Sequence, residues 1–364
     1  MQSFPLPSVF EALHLVMRNF PDQFTEESKL EVEALLEHCL HGLEKSSEKF
    51  LGTLFIKAIR KHIGPSVSDE NIYLRAFEVP QIELFNFLIK EFPFVREAQS
   101  LVNRSIAQLA RGHKEVLVLD IGIGLGVQMQ HLLKELAAVD SLQRVVLVGI
   151  EPFKDALDEC ARQLENGSYP FLFEFHPLCA FVEQFDFVLL KPLREAVSGP
   201  LIVNESLALH HIKFLADRHK VIQKVRALDP LAFFLTEPNV DHYEPDFVRR
   251  FQNCYNHFFH IFQVIDQLPA GSREKNGLKL FFGREIEDII GGKDFDRSEK
   301  HEPAFRWVEK LKVAGFSMVN RYVGLPDELG CGIDVRYNPL VEGIDFKVGN
   351  ETVVSILQAA CAQE

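Results

Sequence analysis

Apolar residues recur at spacings of three and four positions along the first third of the chain. That spacing is the period of an amphipathic helix, and it predicts helices over 9–19, 25–43, 48–62, 81–91 and 95–110. Thr25, followed by two acids, is the predicted N-cap of the second helix. No strand pattern interrupts these segments, so we expect a helical layer that packs its apolar faces on another surface.

From residue 115 onward, short apolar runs alternate with helical segments. The candidate strands are 116–119, 145–150, 170–175, 185–189, 201–203 and 231–236. Because such alternation is typical of a parallel sheet with helices on its faces, we predict an α/β fold. Two further apolar runs in 345–357 flank Gly349 and Asn350, which predicts an antiparallel hairpin at the end of the sheet.

An acid and three alternate glycines follow the first predicted strand. Asp120 precedes Gly122, Gly124 and Gly126, and a helical pattern begins at Gln128. Glycines let the backbone turn sharply and approach a ligand, so these five residues form a predicted nucleotide-cofactor site. The spacing lacks the third glycine of the dinucleotide fingerprint. An acid on the turn also suits a cofactor with a cationic amino-acid portion, which favours S-adenosylmethionine.

The second predicted strand ends in an acid. Glu151 is expected to lie beside the glycine turn, where a carboxylate can accept hydrogen bonds from ribose hydroxyls. The alternative is an ordinary α/β domain whose glycines only make a turn, and Glu151 favours the cofactor site over it. After the third strand, Pro177 and Leu178 are placed to lie against the adenine ring, although proline also commonly starts a helix.

Methyl transfer needs a positioned nucleophile and, where that nucleophile carries a proton, a base within reach. Open α/β sheets bind ligands beyond the carboxyl ends of their strands. Asn204 and Glu205 follow the strand over 201–203, and we expect them to line the donor and acceptor region. The preferred base is His242 or Glu237, with Glu205 as a further catalytic candidate.

Three more polar residues near these strand ends are predicted to contact the substrate: Asn239, Asp241 and His210. Structural roles compete with these assignments. Glu205 can stabilise a helix N-terminus, His210 can pack on its own helix, and Asp241 can form a turn. We predict no metal site, because neither His210 with its neighbour His211 nor Asp241 with His242 has a third ligand nearby in the sequence.

The segment after the strand over 231–236 carries aromatic residues at helical spacing, which is more typical of a packed core than of a ligand cage. We expect 240–275 to be a helical insertion that folds back with the N-terminal helices over the cofactor edge of the sheet. The chain is therefore divided into a helical cap over 1–112 and a Rossmann-like core over 113–364.

Composition narrows the class of protein. A chain of 364 residues with 47% hydrophobic content can bury one large core or two moderate ones. The net charge of -13 opposes attraction to phosphate backbones, so direct nucleic-acid binding is not expected. No apolar run reaches the length of a membrane span, and the first residues lack the charge pattern of an export signal. We expect a cytoplasmic protein with reduced cysteines.

In their order, these motifs resemble the GRAS family, which is known mainly from plant transcriptional regulators and has bacterial relatives proposed to be methyltransferases. The resemblance runs from about residue 85 to the end. Its pieces lie at 116–120 with 126–128, 173–177, 203–211, 236–242, 282–286, 297–301, 307 and 314–316. The resemblance implies a methyltransferase-like Rossmann sheet with a helical cap and a terminal antiparallel hairpin.

The chain departs from the plant members in ways that bear on function. Plant members usually lack the full glycine turn and the acid that ends the second strand, and this chain has both. It also has Met129 where tryptophan is common, and Leu357 to Cys361 replace the terminal Ser-Ala-Trp motif. In these features the chain resembles the bacterial, cofactor-binding branch of the family.

The sequence therefore predicts an S-adenosylmethionine-dependent methyltransferase that acts on a small molecule. The alternative is a non-catalytic regulator or effector of the GRAS type, whose cap binds a small ligand or a partner protein. A homodimer formed through the cap is compatible with either prediction. The sequence specifies no methyl acceptor.

Overall fold

The computed structural model of the chain describes residues 8–18, 20, 25–43, 46–63, 87–88, 91–326 and 329–361. Its centre is a nine-stranded sheet in the order β3-β2-β1-β4-β5-β9-β8-β7, with β6 also paired to β9. The strands are β1 Glu115–Ile121, β2 Arg144–Glu151, β3 Leu172–Cys179, β4 Leu201–Ser206, β5 Ala232–Pro238, β6 Phe316–Met318, β7 Ile333–Asn338, β8 Gly343–Val348 and β9 Glu351–Cys361.

The first five strands are parallel, which confirms the predicted α/β class. Alternate residues of β1 enter two separate cores on the two faces of the sheet. Val116 and Val118 belong to one core, whereas Leu117 and Leu119 belong to the other. Burial on both faces explains why this strand is a continuous apolar run in the sequence.

Helices cover both faces and connect the parallel strands. Thr25 caps the second helix as predicted, since its side chain accepts a hydrogen bond from the Ser28 amide. The described helices are α1 Val9–Met17, α2 Glu26–Leu40, α3 Ser47–Ile63, α4 Pro93–Ala110, α5 Val127–Leu136, α6 Lys154–Glu165, α7 Lys191–Ala196, α8 Leu215–Arg226, α9 Phe247–Gln267, α10 Ser272–Ile286 and α11 Ala304–Val313. Most of the predicted helix over 81–91 lies outside the described residues.

The strand predicted over 185–189 is wrong. The segment forms a 3₁₀ turn at Phe187–Leu190 followed by α7. Phe187 and Leu190 are buried, whereas Val188 and Leu189 are exposed. A burial repeat of three residues matches a 3₁₀ turn, and a strand would need a repeat of two.

The N-terminal helices and the predicted helical insertion pack together through aromatic rings. The rings of Phe55 on α3 and Phe251 on α9 have centroids 5.4 Å apart, and those of Phe10 and Tyr255 are 4.7 Å apart. Helix α3 also contacts α10. Helix α4, which the predicted division at residue 112 places in the cap, packs instead against α5 and β9.

The sheet ends in the predicted hairpin. Strands β8 and β9 pair antiparallel, and β9 also pairs antiparallel with β5. Gly349 occupies the turn with φ at 58°, a conformation that glycine adopts without strain. Within the described residues, no helix is long and apolar enough to cross a membrane.

Candidate functional site

The glycine turn connects β1 to α5 through three left-handed residues. Gly122, Gly124 and Gly126 have φ values of 77°, 53° and 73°. The amides of Gly122 and Ile123 both donate to the carbonyl oxygen of Ile150, at 2.9 and 3.1 Å. These bonds hold the turn against the carboxyl end of β2, as the sequence predicts for a cofactor loop.

The three glycines serve different purposes. A Cβ atom at Gly122 would lie 2.4 Å from the Ala208 side chain, and one at Gly126 would lie 2.5 Å from the Cys160 sulfur. A Cβ atom at Gly124 would meet no described atom within 4 Å. Gly122 and Gly126 are therefore needed for close packing, whereas Gly124 leaves open space where a ligand can approach the backbone.

Glu151 ends β2 directly beside this turn, as predicted. Its Oε2 atom accepts a hydrogen bond from the Gly124 amide at 3.1 Å, and Oε1 accepts one from the Phe153 amide at 3.0 Å. Burial raises the pKa of Glu151, while these two bonds lower it. Each carboxylate oxygen can accept a second bond, so the residue fits the role of a ribose acceptor.

Asp120, Asn204 and Gln128 form one buried polar network under the turn. The Asn204 Nδ2 atom donates to Asp120 Oδ1 at 2.7 Å and lies 3.4 Å from the Gln128 side-chain oxygen. Gln128 is joined in turn to Asn103 on α4. Burial raises the pKa of Asp120 to about 7, although the bond from Asn204 lowers it. An incoming cation would favour the ionised form.

A second polar group lies at the ends of β4 and β5, where Glu205, Glu237 and His210 meet. Glu205 Oε1 accepts the amides of Ala208 and Leu209 at 2.6 and 3.1 Å, which is the helix N-terminal role proposed as its structural alternative. Burial, aided by the neighbouring Glu237 carboxylate, raises the pKa of Glu205 well above its usual value.

Glu237 is ionised and bonded to His210. Its Oε2 atom lies 2.5 Å from His210 Nδ1, and its Oε1 accepts the His210 amide at 3.0 Å. Burial raises the pKa of Glu237, but the imidazole outweighs it and holds the pKa below its usual value. Burial lowers the pKa of His210, yet Glu237 and Glu299 raise it to about 10.

The other preferred base, His242, lies deeper in the molecule. It is fully buried, and its Nδ1 atom is 2.7 Å from Nδ1 of His301. Its Nε2 atom has no hydrogen-bond partner among the described residues. Burial lowers the pKa of His242 well below its usual value, so the ring is neutral.

The two remaining substrate candidates make structural contacts. The Asn239 side-chain oxygen accepts the amide of Ala304 at 2.7 Å, at the start of α11. Asp241 follows in the loop after β5, where its carbonyl oxygen accepts a bond from the Asn253 side chain at 2.9 Å. These contacts leave substrate contact by either residue a prediction.

Pro177 and Leu178 lie within β3 and not after it. They pair with Gly149 and Ile150 of β2, so their predicted position after the third strand is wrong, and the alternative of a helix start at Pro177 is not seen either. Pro177 is exposed, while Leu178 is partly buried against the core below the sheet. Contact with adenine remains a prediction for both residues.

Sequence reasoning missed Glu299 as part of this site. Its carboxylate lies 3.5 Å from His210 Nε2 and 3.6 Å from His211 Nδ1. It also lies 3.6 Å from Nε2 of His301. The only signal was that 297–301 is one of the segments that resemble the GRAS family, because nothing in the local spacing connects Glu299 to the distant histidines.

Comparison with known proteins identifies the family. The model of the GRAS domain family matches residues 27–322, which is well over half of the chain. The chain belongs to the GRAS domain family. The match includes the glycine turn, Glu151 and the strand-end residues, so the candidate site lies inside the GRAS region.

The curated relatives are plant GRAS proteins. Chitin-inducible gibberellin-responsive protein 2 of Oryza sativa subsp. japonica is 27% identical over 65% of this chain and 46% of its own length. DELLA protein GAIP of Cucurbita maxima is 23% identical over 74% of this chain and 47% of its own length. The chain therefore spans about half the length of these relatives.

A solved GRAS structure shares the fold. The crystal structure of SCL7 in Oryza sativa superposes with a TM-score of 0.74 and 18% identity, covering 97% of this chain and 99% of that one. The likeness extends over the helical region as well as the sheet. It confirms the mixed α/β architecture with a central sheet and many helices.

Proposed function

We propose that this GRAS-family chain binds S-adenosylmethionine at the carboxyl edge of its sheet and transfers the methyl group to a small molecule. One observation carries the proposal: the left-handed turn at Gly124 is open to a ligand and adjoins the Glu151 carboxylate. This combination also supports the resemblance to the cofactor-binding branch of the family. When bound, the cofactor supplies an electrophilic methyl group on a sulfonium.

Different residues along this edge would bind different parts of the cofactor. Glu151 accepts the ribose hydroxyls, the Gly124 backbone admits the nucleoside, and Asp120 pairs with the cationic amino group. Asn204 holds Asp120 in place through its bond of 2.7 Å. These roles need only residues that lie at the ends of β1, β2 and β4.

The acceptor would lie over β4 and β5. The residues at these two strand ends would orient the acceptor atom toward the methyl group of the bound cofactor. A proton lost by the acceptor passes to a base within reach. Both preferred bases are buried, and we favour Glu237 because its pKa is held below the usual value, which keeps it ionised, and because it lies on β5 at the end of the strand.

A second candidate function is regulation through a partner protein, without catalysis. The comparisons support this candidate better than they support catalysis, because the curated relatives include a DELLA protein and gibberellin-responsive proteins. The partner would dock on the helical cap, as a second copy of the chain would in a homodimer. On this view the glycine turn binds a small ligand or none.

Calorimetric titration with S-adenosylmethionine and S-adenosylhomocysteine separates the candidates, with NAD as the specificity control. We expect saturable binding of the first two ligands alone. Glu151→Ala should weaken that binding by about 1–3 kcal/mol, or about 5- to 150-fold, because a charged hydrogen-bond partner is lost. The matched control is Glu165→Ala, an exposed acid at the end of α6.

Either outcome directs the next step. Binding that depends on Glu151 supports the cofactor site and justifies a screen of small-molecule acceptors, with release of S-adenosylhomocysteine as the readout. A folded protein that binds neither ligand contradicts the cofactor site and leaves the regulator as the better candidate. Equal affinity of Glu151→Ala and the parent protein would refute the ribose role alone.

A further inference from the structure

We propose that His210, His211 and Glu299 bind a divalent transition-metal ion, with zinc as the ion of best fit. One ligand atom from each residue lies within 4.8 Å of the other two. The residues come from the 3₁₀ turn Leu209–His211 after β4 and from the segment that precedes α11. The sequence predicted no metal because the third ligand, Glu299, is far away along the chain.

The distances between ligand atoms suit a metal ion better than direct contact. His210 Nε2 lies 3.5 Å from Glu299 Oε2, and His211 Nδ1 lies 3.6 Å from Glu299 Oε1. Both distances exceed the 2.7–3.2 Å expected of hydrogen bonds. Two ligands at about 2.1 Å from a tetrahedral zinc ion lie about 3.4 Å apart, which is close to the spacing seen here.

The side chain behind His210 is placed as in known zinc sites. Glu237 Oε2 lies 2.5 Å from His210 Nδ1, so it accepts the proton on that nitrogen and fixes the ring orientation. The second ring nitrogen, Nε2, points toward Glu299 and becomes a ligand when the ion displaces its proton. A metal-bound histidine usually donates its other N–H to a carboxylate or carbonyl in this way.

The ligand set also allows access and exchange. His210 is buried, but the side chain of His211 is 53% exposed, so an ion can enter from solvent. Two histidines and one carboxylate are the protein ligands of a catalytic zinc site with an open fourth position. A second group of Glu285, Glu299 and His301 shares Glu299, but it offers only one nitrogen ligand and suits zinc less well.

The site lies on the acceptor side of the sheet edge, next to Glu237 and Glu205 at the ends of β5 and β4. An ion there would put a positive charge among several buried carboxylates. The ion would reach the site from the ends of β4 and β5. The proposed cofactor residues Asp120 and Glu151 lie instead at the ends of β1 and β2. Metal binding can therefore be measured without any methyl donor, and it does not depend on the proposed function.

The test uses untagged, full-length protein stripped of metal with a chelator and dialysed. Calorimetry with Zn²⁺ and Co²⁺ should give one equivalent bound, and the visible absorption of the Co²⁺ form should indicate tetrahedral coordination. His211→Ala and Glu299→Gln should each weaken binding by at least about 10- to 100-fold, the range seen even for loss of supporting residues around a metal. The matched control is His38→Ala, an exposed histidine on α2 that should bind like the parent protein.

Two results would overturn the proposal. One is the absence of stoichiometric binding by the parent protein, which would leave the cluster as paired histidines and carboxylates. The other is retention of full affinity by folded His211→Ala. Because His211 is half exposed, that variant is expected to fold even if Glu299→Gln does not, and circular dichroism checks both.

Discussion

Buried acids at the carboxyl edge of the sheet differ in charge because their neighbours differ. Asp120 receives a hydrogen bond from Asn204 and meets no cationic side chain among the described residues, so burial dominates and raises its pKa to about 7. Glu237 is just as enclosed, but His210 keeps its pKa below the usual value. The carboxylate without a protein cation is the one predicted to meet the cationic end of the cofactor.

Asp120→Asn should stabilise the free protein at pH 8 while abolishing S-adenosylmethionine binding. The pKa of Asp120 is raised from 3.8 to about 7, so the stability it contributes is present at low pH and lost as pH rises through 7. Asparagine avoids the cost of a buried charge, and we expect a gain of about 1–3 kcal/mol in the free energy of unfolding. Urea denaturation and calorimetry measure the two effects.

The pH dependence provides the internal control for this variant. Its stability advantage over the parent protein should shrink between pH 7 and pH 4, because Asp120 takes up its proton in that window. An advantage that stays constant with pH would mean that packing and not charge explains it. A less stable variant at pH 8 would show that Asp120 is a structural residue.

How much of the site was visible in the sequence depends on how local each signal is. Asp120, the glycines and Glu151 were predictable because strand ends and turns are encoded by neighbouring residues. Glu299 was not, because it reaches His210 through the packing of a segment before α11 against β4 and β5. Nor could the sequence reveal that Asn239 would cap α11.

In the turn between β1 and α5, substitutions at two different glycines should affect ligand binding and stability separately. Gly124→Val should abolish S-adenosylmethionine binding, because its side chain would enter the open space beside the turn. Its cost in stability should be limited to the backbone strain of about 1–2 kcal/mol that a side chain meets at a φ of 53°. Gly126→Ala should destabilise the fold by about 1–3 kcal/mol, since its Cβ atom would lie 2.5 Å from Cys160. Thermal denaturation and calorimetry on both variants measure the contrast.

Backbone strain needs its own control, because both glycines have positive φ. Gly349, in the terminal hairpin, has φ at 58° and open space around it, so Gly349→Val matches Gly124→Val in strain and lies in a different turn. We expect equal losses of stability from backbone strain in these two variants and loss of ligand binding only in Gly124→Val. Unimpaired binding by Gly124→Val would contradict the proposal that the ligand occupies the open space at Gly124.

Elements with a clear period were predicted well and those with a mixed pattern were not. The strand β2 is buried almost throughout, as its continuous apolar run predicts, and the helix α9 follows the helical repeat. The short run at 185–189 is also largely apolar. Two of its residues nevertheless face solvent, and the segment forms a 3₁₀ turn. Hydrophobicity alone cannot separate these cases in a segment of five residues.

The packing of helix α9 between the cap and the sheet should contribute strongly to the free energy of unfolding. Phe251 is fully buried and packs against Phe55 at a ring distance of 5.4 Å. Phe251→Ala should lower the free energy of unfolding by about 3–5 kcal/mol in urea denaturation, because it leaves a cavity. The control is Phe305→Ala, on the exposed side of α11, with an expected change of about 0.5 kcal/mol or less. A small effect at Phe251 would mean that the cap tolerates separation from α9.

At the scale of the whole molecule, the sheet edge and the cap supply two kinds of surface. The edge carries buried polar groups suited to a small ligand, whereas the N-terminal helices pack on α9 and α10 through aromatic rings. The SCL7 structure shares this fold at 18% identity, and a shared fold does not fix an activity. Function must therefore be decided by the site and not by the fold.

The net charge of the chain bears on how a regulator of this kind would work. A net charge of -13 repels the phosphate backbone, and binding to duplex DNA requires Lys and Arg side chains to replace its counterions. Fluorescence anisotropy with a labelled random-sequence duplex should show no saturable binding between about 50 and 200 mM salt. Saturable binding that weakens steeply with salt would contradict the prediction and reveal a basic patch. Without such binding, the regulator candidate has to act through a protein partner, and the cap is the surface to test.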